Sequence, residues 1–162
     1  MRTNSHSFVH TNLRVFYQIA REAHVAMGGE NLTADGKANL DDQQGRIVKY
    51  DPGQKSFKNA LVTIVFCGVF LEALLHLLIV KRKGIEVFRK YDHSTYEVKL
   101  KQLGCSDKSI LDGCKHYREA RKEVVHEKAH IDSDKIRIAQ KEASTAMELI
   151  EKILAYFHFE MG

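Results

Sequence analysis

The segment Arg118 to His130, REARKEVVHEKAH, concentrates side chains that could do chemistry. Arg118, Lys122, His126 and His130 step by four residues and so share one face of a helix, while Glu119, Glu123 and Glu127 form an acidic row beside it. The plainest reading is a solvated, salt-bridged surface. Read as a site, the basic face would hold an anion, with Arg118, Lys122 and His130 as substrate contacts. The stretch HEKAH also matches H-E-x-x-H, a spacing that puts two imidazoles on one helix face around zinc with Glu127 as general base. Glu148, 18 residues beyond His130, is within range as a third ligand. A metallopeptidase would also want an edge strand for its peptide, and the chain offers no convincing sheet; Lys128 stands where such enzymes usually carry an uncharged residue. The reading carried forward has no metal and no cofactor.

A second oddity is positional. On a wheel of 100° per residue Arg121 falls roughly 20° from Ile110, inside the apolar stripe of its helix rather than beside it. A charge there needs a partner. The matching anomaly is Glu72, the one formally charged residue in NALVTIVFCGVFLEALLHLLIV, residues 59–80. A partly buried structural ion pair between Glu72 and Arg121 is the economical solution.

The elements that must position these groups are helices. Val9, Leu13, Phe16, Tyr17, Ala20, Ala23 and Met27 recur at steps of three and four, predicting an amphipathic helix that ends at Gly28 and Gly29. A polar loop is expected over about 28–56, far longer than an ordinary helix connection. The apolar segment 59–80 is long enough to span a membrane and is flanked by Lys58 and by Lys81, Arg82 and Lys83. Against that, a central charge costs roughly 2.5 to 3.5 kcal/mol on insertion, and the apolar stripes of the other helices need a protein partner. A core helix and no membrane is the expectation. Short helices follow over Ile85–Tyr91 and from His93 or Ser94 to Gly104. Ser106 or Asp107 then caps a helix reaching about His130, and Ser133 and Asp134 precede a last one through Phe157. The fold class is therefore all-α: an up-and-down bundle of four to five main helices in a single domain, 1–162.

Composition agrees. With 162 residues, 44% apolar and 28% charged, the chain matches a globular domain and excludes a disordered tail, a collagen or a multispanning membrane protein. One proline and no tryptophan leave room for long uninterrupted helices. The net charge of +4 is concentrated between Lys81 and Lys128, with 13 Lys and Arg against 8 Asp and Glu, a mild bias toward anionic partners. Cys67, Cys105 and Cys114 are odd in number and lack C-x-x-C spacing, and residues 1–12 show no signal-peptide pattern. A reducing, cytoplasmic setting is expected.

An all-helical bundle of this length, with FLEALLHLLI in an apolar helix and R-K-E-V-V-H in a later one, resembles the HEPN family over most of the chain. The family signature is Arg, four to six residues, then His; here Arg121 and His126. Lys122 stands where many members carry Asn, and Lys128 where a subgroup carries Tyr. The resemblance implies a homodimeric, metal-independent endoribonuclease of a toxin or defence system, with Arg121 and His126 catalytic and an antitoxin protein as partner. The other implied reading is a non-catalytic module binding a nucleotide, RNA or a protein. The residue types suit cleavage: histidine moves protons near neutral pH, and arginine meets phosphate charge bidentately. An offset of five residues separates the two side chains by about 140° on one helix, which agrees with the family's habit of completing the site across a dimer.

Overall fold

The computed structural model describes residues 12–30, 52–125 and 138–160. Among these residues six helices make up the order: α1 (Leu13–Glu30), α2 (Lys55–Lys83), α3 (Ile85–Tyr91), α4 (Tyr96–Gln102), α5 (Lys108–Val125) and α6 (Ala139–Phe157), with a 3-10 turn at Pro52–Gln54 leading into α2. Among the described residues there is no strand, as the all-α reading requires.

α2 is the axis. By length and composition it could cross a membrane, yet 61% of its most apolar window is buried inside the bundle. Every other described helix packs on it, α1 and α6 most extensively. Ala60, Ile64, Cys67, Phe70, Leu71, Leu74, Leu75, Leu78 and Ile79 are buried along it, more than one face's worth, so α2 must be apolar nearly all round. The surrounding helices need only a stripe. On α5 that stripe is Ile110, Cys114, Tyr117 and Ala120; on α6 it runs through Ala143, Ala146, Ile150, Ile153 and Phe157. All three cysteines are free and buried.

The element boundaries shift from expectation at both ends of the polar loop. α1 continues through Gly28 and Gly29 to Glu30, and the next helical turn starts already at Pro52. Only residues 31–51 of the expected loop lie between, outside the described residues. Glycine lowers helix propensity by about 1 kcal/mol without forbidding the conformation, so two of them weaken a last turn and need not end it. α2 likewise runs past Val80 through Lys83. It stops at Gly84, whose φ of 92° is open to glycine and strained for other residues, and the chain bends there into α3.

α5 opens as anticipated. Asp107 Oδ1 accepts hydrogen bonds from the backbone N–H of Ser109 (2.8 Å) and of Ile110 (3.4 Å) and from the Ser109 hydroxyl (2.8 Å). The side-chain bond from Ser109, then the two backbone bonds, hold the carboxyl below its ordinary value. A carboxyl lowered in the folded state stabilises above its unfolded pKa, near 3.9, and loses that contribution as pH falls through the folded value. Asp107→Ala is accordingly expected to flatten the stability profile below about pH 4 relative to wild type. Denaturant midpoints measured across that range check it, and parallel profiles would reject it.

Candidate functional site

The candidate site is a cleft of about 460 Å³ between the C-terminal half of α5 and the α3–α4 turn, with α2 at its base. Arg118, Arg121 and Lys122 reach it from successive turns of α5, and Glu72 reaches it from α2. His93, Ser94 and Thr95 form the opposite wall, with Tyr96 at the start of α4.

Arg121 occupies a notch that the sequence of α2 makes possible. A Cβ on Gly68 would stand 3.0 Å from Nη1 and 3.2 Å from Cζ of Arg121, and 2.7 Å from the Tyr117 hydroxyl. Glycine at this position therefore lets the guanidinium and the phenol lie directly on the α2 backbone. The buried Tyr117 hydroxyl donates to the carbonyl of Ile64, one turn earlier on the same helix. Burial drives the Tyr117 phenol well above its ordinary pKa. Arg121 itself is half-buried, as its place in the stripe demanded.

The expected direct ion pair between Glu72 and Arg121 does not form. Lys99 Nζ donates to Glu72 Oε2 at 2.9 Å, and the lysine is 2% exposed against 51% for the glutamate side chain. α4 brings a cation to Glu72 from a second direction, and the deeper charge takes the carboxylate because it has no water to fall back on. The Tyr96 phenol lines the same cleft within electrostatic reach of both Glu72 and Arg121. Burial first, then the Glu72 charge, pushes the Tyr96 phenol up to about 12, with Arg121 acting the other way. Glu72 and Arg121 thus share the Tyr96 phenol as a neighbour and form no ion pair with each other.

Arg118 Nη2 donates to Glu97 Oε1 at 3.2 Å. Burial alone would raise the Glu97 carboxyl, but hydrogen bonds from its own backbone N–H, the Thr95 hydroxyl and Arg118 hold it below its usual range. Among the described residues, no carboxylate lies within salt-bridge distance of Arg121 or Lys122. With Glu72 matched by Lys99 and Arg118 by Glu97, the cleft keeps the charge of those two cations.

Of the residues the sequence singled out, Arg118, Arg121, Lys122 and Glu72 converge on this cleft. His126, Glu127 and His130, and with them the H-E-x-x-H stretch, lie outside the described residues, as do Ser133 and Asp134. Among the described residues no group of three His, Cys, Asp or Glu side chains is arranged to hold a metal ion. Sequence reasoning missed Lys99, Tyr96 and His93. Lys99 could have been found by the wheel argument applied to Arg121, because Tyr96, Lys99, Leu100 and Leu103 follow one helical stripe and all four are buried. His93 sits in a turn, where no periodicity marks it. Comparison with protein-family models, with curated proteins and with solved structures finds no match to this chain.

Proposed function

We propose that the chain is an HEPN-like, cytoplasmic protein that cuts RNA without a metal ion, as a homodimeric toxin or defence ribonuclease held in check by an antitoxin protein. One observation carries the reading: Arg118, Arg121 and Lys122 line a single cleft from one end of α5, and among the described residues no carboxylate pairs with Arg121 or Lys122. A phosphodiester supplies the missing negative charge. The notch at Gly68 seats the Arg121 guanidinium before any ligand arrives, and preorganisation of this kind stabilises charge developing at phosphorus. In this reading His126, directly after α5, moves protons, and Arg118, Lys122 and His130 contact the strand.

A second reading, a binding module without catalysis, is favoured by the same notch. Packing on α2 is also what a purely structural arginine would do. The two are separated by incubating purified protein with single-stranded RNA in EDTA. Cleavage leaving a 2′,3′-cyclic phosphate, reduced about 100-fold or more in both Arg121→Ala and His126→Ala, is the expected result. Binding without cleavage selects the module; cleavage surviving both substitutions rejects the proposal. EDTA-sensitive proteolysis lost in Glu127→Ala would move the chain to the metallopeptidases.

A further inference from the structure

We infer that His93 is the base that takes the proton from the attacking 2′-hydroxyl in this cleft, an inference that rests on the ribonuclease reading. Cleavage of an RNA phosphodiester needs a cation on the phosphate oxygens and, on another side of the phosphorus, a group that exchanges protons near neutral pH. α5 supplies the cation. The facing wall of the cleft can supply the group that takes the proton from the attacking hydroxyl.

That wall is the α3–α4 turn, and it is anchored at both ends. The Ser94 N–H donates to the Tyr91 carbonyl at 2.9 Å, and the Lys99 N–H donates to the Thr95 carbonyl at 3.1 Å. His93 on this turn is solvent-exposed and lines the cleft that Arg121 and Lys122 also line, and it is the one histidine among the described lining residues. The other proton carriers there are less suited. Tyr96, raised to about 12, keeps its proton at neutral pH, and one oxygen of Glu72 is engaged by Lys99. Ser94 adds a hydroxyl to the same wall, able to donate to a bound phosphate.

The step balances on the substrate and water alone. The neutral His93 imidazole accepts the 2′-hydroxyl proton as the 2′-oxygen forms its bond to phosphorus. The bond from phosphorus to the 5′-oxygen breaks, and that oxygen takes a proton from water. His93 returns its proton to the hydroxide so formed, leaving a 2′,3′-cyclic phosphate and a 5′-hydroxyl.

The test pairs cleavage with binding. Single-stranded RNA in EDTA measures the rate, and the same strand with 2′-deoxyribose throughout, which cannot react by this route, measures affinity. His93→Ala is expected to slow cleavage about 100-fold or more, leave affinity within about twofold, and recover part of the rate with added imidazole. Cleavage at the wild-type rate in His93→Ala overturns the inference; if His126→Ala abolishes cleavage in the same assay, the ribonuclease reading stands without it. Parallel loss of affinity in His93→Ala also overturns it, making the residue a phosphate contact. Wild-type protein that binds RNA and never cuts it removes both readings together.

Discussion

Glu72→Ala is expected to lower stability by about 3 kcal/mol, and Lys99→Met, at the other end of the same 2.9 Å pair, by only about 1 kcal/mol. The asymmetry follows from where each charge sits. With the carboxylate gone, an ammonium on a lysine 2% exposed keeps its charge without a partner, and the cost of an uncompensated buried ion is of the order of 3 to 5 kcal/mol. With the ammonium gone, methionine fills nearly the same volume, and a glutamate whose side chain is 51% exposed turns to water. The double variant Glu72→Ala, Lys99→Met is expected to resemble Lys99→Met alone, because the orphaned ion is no longer there. Urea midpoints at constant slope check all three. Equal costs for the two single substitutions would mean that the Lys99 head group finds water unaided, by extending along its apolar stem to the surface.

Gly68→Ala is expected to destabilise the bundle by about 2 kcal/mol, opposite in sign to what the change does at an open site inside a helix, where it gains about 0.5 to 1 kcal/mol. The added methyl would meet the Tyr117 hydroxyl at 2.7 Å and the Arg121 guanidinium at 3.0 Å. Arg121 can retreat, since the contact is at the far end of a flexible side chain. Tyr117 cannot retreat cheaply: its ring is buried, and its hydroxyl is bonded to the Ile64 carbonyl. Tyr117→Phe removes the clashing oxygen, so Gly68→Ala introduced into that background is expected to cost at least 1 kcal/mol less than in wild type. Denaturation of the four proteins of this cycle supplies the measurement. Additive costs would place Tyr117 elsewhere than over Gly68. The same substitution moves Arg121 off its seat and is expected to weaken RNA binding, which ties the small residue in α2 to the work proposed for the cleft.

The amino-acid sequence by itself determines the inventory of helices and the faces they bury. The three-and-four spacing of apolar residues marks α1, α5 and α6, and the nearly unbroken apolar run marks α2 as the helix that others surround. Asp107 announces the start of α5 because capping is local chemistry, settled within three residues. The burden on Arg121 is legible for a similar reason: helical geometry alone puts its charge on the buried side. Four of the cleft's residues, Glu72, Arg118, Arg121 and Lys122, follow from such local patterns.

The partners come only from the tertiary structure. A helical wheel says that Glu72 and Arg121 each need company and says nothing about the distance between them. Which carboxylate meets which cation depends on how α2, α4 and α5 cross, and there Lys99 reaches Glu72 from α4 while Tyr96 and Arg121 line the same cleft. Gly68 reads in the sequence as one more small residue in an apolar helix; its meaning, a seat for a guanidinium and a phenol, exists only once α5 lies across it. His93 shows the limit most plainly. A turn residue belongs to no periodic pattern, and its place opposite Arg121 is set by contacts between segments distant in the chain, which local spacing does not encode.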